Sequence, residues 1–138
     1  MGASRKGTMW LFGSTASVLA CSAALAQPIS SGEALFGLCS DCHAIGYGAK
    51  IKVGPPLNGV VGRPLGSYAG YIYSESMREA AESHEVWTEE KLERWLQNPR
   101  ALVPFTKMMF PGLSRKQQRQ GIIEFLKGFD ALGNKIAK

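Results

Sequence analysis

Cys39-Ser40-Asp41-Cys42-His43 decides the reading of this chain. Cys-x-x-Cys-His is the attachment signal for a covalently bound c-type haem. Residues three apart on a helical turn share a face, so both thiols can reach the two vinyl groups along one haem edge. His43 is then left beside the ring, where its imidazole can reach the iron as proximal ligand while a second axial ligand sets the redox behaviour. Two other uses of the motif are possible. A structural zinc site needs four ligands, and the remaining candidates are only His84 and Cys21. A thioredoxin-like redox pair belongs beside a βαβ pattern, and no strand pattern is visible.

Upstream of the motif, residues 1–26 read as a cleaved signal peptide. Arg5 and Lys6 form a positive start, Met9 to Ala20 is an apolar run too short to span a membrane, and Ala24-Leu25-Ala26 is an A-x-A cleavage site. Residues 27–138 then form a single domain, exported to the periplasm. Val18-Leu19-Ala20-Cys21 offers an alternative, a lipoprotein signal that would tether the chain to the membrane through Cys21. With Cys21 removed, the haem takes both remaining cysteines and leaves none for a disulfide. A domain this small commonly needs a staple beyond its own core, and a haem held by two thioethers would supply one.

Downstream, helices alternate with long loops. Ser30-Ser31-Gly32-Glu33 is a capping box that opens a helix carrying Leu35, Phe36 and the haem motif and ending near His43. Residues 44–70 are rich in glycine and contain Pro55, Pro56 and Pro64, so they read as loops wrapped around a cofactor. A short helix is expected over 74–83. A better one runs from 88 to 97, with Thr88 as N-cap, Glu89 and Glu90 in the first turn, and Leu92, Trp95 and Leu96 on one face. Pro99 stops it, and residues 99–113 form another loop. Ser114 with Gln117 is a second capping box. It starts a helix whose Ile122, Phe125, Leu126 and Phe129 follow the i, i+3, i+4, i+7 pattern, with Gly133 as C-cap. The fold class is all-α, three to five helices and long loops around one cofactor.

Three stretches in this order resemble the class I c-type cytochromes, the small bacterial and mitochondrial-type cytochromes c. They are Cys39 to His43, Lys52-Val53-Gly54-Pro55-Pro56-Leu57-Asn58-Gly59-Val60-Val61-Gly62-Arg63, and Asn98-Pro99-Arg100-Ala101-Leu102-Val103-Pro104-Phe105-Thr106-Lys107-Met108-Met109-Phe110. The resemblance implies the cytochrome c fold, one covalent haem c attached at Cys39 and Cys42, and iron held by His43 and a methionine. The family's Pro-x-Thr-Lys-Met-x-Phe pattern places that methionine at Met108, with Met109 as the nearest rival. A neutral thioether suits reduced iron and raises the potential. By the same resemblance the Pro55 carbonyl accepts the His43 ring proton, Arg63, Tyr73 and Trp87 hold the propionates, and Thr106 and Asn98 belong to the hydrogen-bond network of the Met loop. Met77 reads as core filler and His84 as part of a solvated loop. Three departures stand out. Trp95 occupies a position often held by tyrosine, Phe105 replaces a usual glycine, and a helix one residue shorter before Cys39 puts Leu35, rather than Phe36, at the family's aromatic core position.

Without the two cations of residues 1–26, 14 Lys and Arg face 11 Asp and Glu, a net charge of +3. Residues 75–94 are net negative, so the rest is more basic still. Lys50, Lys52, Arg100, Lys107, Arg115 and Lys116 match positions that ring the exposed haem edge in the family. Such a dipole would orient encounter with redox proteins that present acidic docking surfaces, such as a cytochrome bc-type complex, a dehydrogenase or an oxidase. An exported haem protein does not meet nucleic acid, and no motif for binding it is present. The expected molecule is a monomer with no transmembrane span in its mature part. It is a one-electron carrier rather than an enzyme. The alternatives are a dedicated cytochrome subunit of a periplasmic dehydrogenase and a haem peroxidase.

Overall fold

The computed structural model describes residues 1–2 and 31–137. The cleavage site, the Cys21 alternative and the Ser30 cap lie outside the described residues. Among these, five helices and two isolated bridges, Pro64 with Val86 and Phe129 with Lys135, make up the regular structure, which bears out the all-α expectation.

Helix α1 (Gly32–Phe36) is capped by Ser31, whose hydroxyl accepts the Ala34 N–H at 3.2 Å. It does not run on to His43. From Gly37 the chain tightens into successive turns, in which Cys39 N–H reaches Phe36 O at 2.8 Å and His43 N–H reaches Cys39 O at 2.9 Å. The haem motif therefore sits on a coil of turns beyond the helix. Helices α2 (Glu75–Ala81) and α3 (Glu89–Gln97) follow the sequence expectation, capped by Ser74 and by Thr88, whose hydroxyl accepts the Lys91 N–H at 3.1 Å.

The expected loop after Pro99 begins instead with a short helix, α4 (Pro99–Leu102). Proline at the first helical position needs no N–H partner, and the Asn98 side chain accepts the Ala101 N–H at 3.3 Å. Helix α5 (Lys116–Lys127) starts without the Ser114 cap; Arg115 is its N-cap and makes no side-chain bond. The Ser114 carbonyl is taken by Arg119, whose Nη1 also donates to Leu113 O. Gly128, not Gly133, ends the helix. Gly133, at φ +86°, instead lies with its Cα face against the Gly46 carbonyl, where any side chain would collide.

The first and last helices among the described residues meet where α1 crosses α5. Gly32 presses on the Gly121 carbonyl and the Phe125 Cβ, and the Phe36 and Phe125 rings lie 5.3 Å apart. Phe36 thus makes an aromatic contact with α5, while Leu35 packs over Gly121. Both are buried, and each such side chain contributes about 2 kcal/mol. Helix α3 is tied to α5 by Arg119 with Glu93 at 2.8 Å and Lys127 with Glu89 at 2.8 Å. No helix among the described residues is long and apolar enough to cross a membrane.

Candidate functional site

These elements enclose a cavity of about 340 Å³, into which every residue singled out for the haem opens: Cys39, Cys42, His43, Arg63, Tyr73, Trp87 and Met108. The rest of the wall is mostly apolar, with Leu57, Val60, Leu92, Trp95, Leu96, Ile122 and Leu126 among its members.

Cys39 and Cys42 are free thiols on one wall, brought there by the turns after α1. Burial, and then the neighbouring Cys42, pushes the Cys39 thiol up from its ordinary value. His43 follows directly. Its Nδ1 lies 2.7 Å from the Pro55 carbonyl oxygen. A carbonyl only accepts, so Nδ1 carries the proton and Nε2 keeps its lone pair. Burial lowers the imidazole's pKa, with Arg63 adding to that and the Pro55 bond opposing it, so the ring is held neutral as a metal ligand must be. Gly54 is buried flat against the ring, and its N–H donates to Cys42 O at 2.8 Å.

The segment after α4 also lines the cavity. Met108 is partly buried and lines the cavity, and its N–H donates to the buried Thr106 hydroxyl at 3.3 Å. Met109 also borders the cavity but is 78 % exposed, and Arg100 Nη2 lies 3.5 Å from its sulfur. Phe105 keeps the left-handed backbone that glycine would favour, at φ +58°, and projects its ring outward. Asn98 spends its side-chain oxygen on capping α4.

At the far end, Arg63 Nη1 donates to Pro56 O at 3.0 Å and Asn58 O at 3.2 Å, and its guanidinium lies 5.3 Å from the Tyr68 ring. Tyr73 accepts the Tyr68 N–H at 3.1 Å, and burial raises its phenol. Trp87 is buried and meets Trp95 edge to face at 5.2 Å. Met77 is buried core that also touches the cavity, and His84 is exposed in its loop.

Sequence reasoning gave no role to Gly54 or Asn58. Asn58 clasps Gly46 with two hydrogen bonds, 2.8 Å from Gly46 N and 3.0 Å to Gly46 O, closing the loop that presents Pro55. Their place in the Lys52 to Arg63 stretch was the available signal.

The donor set fits an iron porphyrin: two thiols, a neutral imidazole and a thioether opening on one cavity with mostly apolar walls. Fold and site together define a small helical protein built around a haem. The chain is 42 % identical over 131 residues to cytochrome c2 of Blastochloris viridis, covering 95 % of this chain and 98 % of that one. It is 42 % identical over 106 residues to cytochrome c-550 of Ancylobacter novellus, covering 77 % and 99 %. Among solved structures, cytochrome c2 from Rhodospirillum centenum matches with a TM-score of 0.68 at 34 % identity, over 72 % of this chain and 95 % of that one. No protein-family model matches. The chain belongs to the class I c-type cytochromes, electron carriers that bind a covalent haem c.

Proposed function

We propose that this chain is a periplasmic one-electron carrier with His43 and Met108 as axial ligands, Cys39 and Cys42 as thioether anchors, and Arg63, Tyr73 and Trp87 as propionate partners. The observation that carries this reading is the meeting of the Pro55-bonded His43 ring and the inward Met108 on one cavity. Bound there, the haem supplies a reversible one-electron change at iron. His43 offers Nε2 because Pro55 holds the other ring proton, and this second bond fixes the ring's orientation and basicity. Met108 would hold the iron from its own segment and so keep small ligands off it, which argues against the peroxidase alternative. The apolar walls exclude water, and no side chain has to move a proton.

Residues 1–26 act as the export signal and 27–138 as the carrier domain. Lys50, Lys52, Arg100, Lys107, Arg115 and Lys116 steer the haem edge toward acidic surfaces on a donor and an acceptor. A transient complex of this kind buries little area, often below about 1,200 Å², so that release is fast.

The test is spectroscopic. Met108→Ala should abolish the sulfur-to-iron charge-transfer band of the oxidised protein and open it to cyanide, while Met109→Ala keeps the band. The opposite pattern overturns the ligand assignment. The mass of the exported protein should correspond to a chain beginning at Gln27; a lipidated Cys21 would replace the free carrier with a tethered one.

A further inference from the structure

The segment after α4 alternates: Thr106 is buried and Met108 enters the cavity, while Phe105, Lys107 and Met109 are exposed. Phe105 is the exception that needs a reason. It is 92 % exposed and has φ +58°, in a turn closed by Thr106 N–H on Val103 O at 3.3 Å. A bulky L-residue is disfavoured in that conformation, and glycine would complete the same turn without strain. The ring gains nothing inside the chain, since it is buried against nothing. Strain held together with exposure points outward, to a contact made by another molecule.

The residues bonded to its segment, and those beside them, say what kind. Ile72 and Val53 are 76 % and 72 % exposed, and both are tied to the same rim. Lys107 Nζ donates to Ile72 O at 2.9 Å, and the Tyr71 hydroxyl donates to Val53 O at 3.0 Å. Lys52 is fixed by the Ser40 carbonyl at 2.5 Å, and Arg100 rests on Met109. Apolar side chains thus stand among cations held in place by backbone acceptors, a face that repels its own copy and complements an apolar surface edged with carboxylates.

We propose that Phe105 is the anchor of the docking face: it seats in an apolar pocket on the redox partner, while Arg100, Lys107 and Lys52 face carboxylates at that pocket's rim. This rests on the carrier reading above. The two components act differently. The cations set the rate of encounter and weaken with salt, whereas the buried ring sets the lifetime of the complex and does not.

The test follows oxidation of the reduced, haem-loaded protein by membranes of the source organism at low and high ionic strength. The charge-transfer band, the midpoint potential and the rate with ferricyanide are measured alongside. Phe105→Asn removes the ring, and asparagine tolerates the left-handed backbone. It should raise KM about tenfold at both ionic strengths with kcat, band and potential unchanged, the behaviour of a truncated interface anchor. Phe105→Leu should recover most of the loss, and Lys107→Gln should raise KM at low ionic strength only. If Phe105→Asn disturbs the band, Phe105→Gly takes its place. An unchanged KM, or a loss that vanishes at high salt, overturns the anchor. A wild-type protein that lacks the band, or that these membranes do not oxidise, overturns the carrier reading itself, and the anchor with it.

Discussion

Gly54 lies flat against the imidazole of His43, so close that a Cβ built on it would stand 2.7 Å from Nδ1 and 2.8 Å from Nε2. The ring is thus held on two sides of one loop, by contact at Gly54 and by hydrogen bond at Pro55. Gly54→Ala should push the imidazole away from its carbonyl partner and cost about 2 kcal/mol, the usual scale of overpacking. Chemical denaturation of the haem-loaded protein checks the stability, and the midpoint potential checks the ring, because a weakened Pro55 bond makes His43 a poorer donor.

Arg119 joins α5 to α3 from inside the protein. Its side chain is 7 % exposed, pairs with Glu93 at 2.8 Å, and donates to Ser114 O at 2.8 Å. The other Glu93 oxygen is buried without a partner in the structure. Removing one member of such a pair strands the other, so Arg119→Met should cost about 3 kcal/mol. The double change Arg119→Met with Glu93→Leu should lose much less. A double-mutant cycle by urea unfolding measures the difference.

Asp130 fastens the last turn of the chain. The Asn134 side-chain amide, at 3.0 Å, then its backbone N–H, at 2.8 Å, hold the carboxyl below its ordinary value, and the Leu132 N–H adds to this. A carboxyl with a lowered folded pKa stabilises the fold above its unfolded value, and this contribution is lost as pH falls through the folded one. Stability should therefore decline below about pH 4, as the unfolded carboxyl begins to bind protons first. In Asp130→Asn that acid slope should be shallower in thermal melts between pH 5 and pH 2.

Helix α3 was legible because Thr88, two acidic residues and one apolar face all agree, and the structure adds nothing that opposes them. Ser114 failed as a cap for a reason no local pattern carries: Arg119, held by Glu93 from another helix, binds the Ser114 carbonyl and fixes that turn otherwise. Gly133 was read as a helix end, but its missing side chain serves a close approach to Gly46, far away in sequence. At the crossing both Phe36 and Leu35 meet α5, one against the Phe125 ring and the other over Gly121. The residues named for the haem were brought together more fully than the helix boundaries were foreseen. Their chemistry is spelled by a few residue types at fixed spacing, and all seven open on one cavity. What stayed hidden was support by backbone and small residues, such as Gly54 and the Asn58 clasp, whose value lies only in where the folded chain brings them.

The crossing of α1 on α5 has a consequence for how the protein is made. Gly32 and Phe36 find their partners, Gly121 and Phe125, only near the far end of the chain. A loop that spans nearly the whole domain must close before that contact stabilises anything, and such closure is slow. As a nascent chain is made, the Cys39 to His43 coil emerges well before Gly121 and Phe125, so it stands for a time without its roof. The interval between those two arrivals is when the two thiols stand open to a haem.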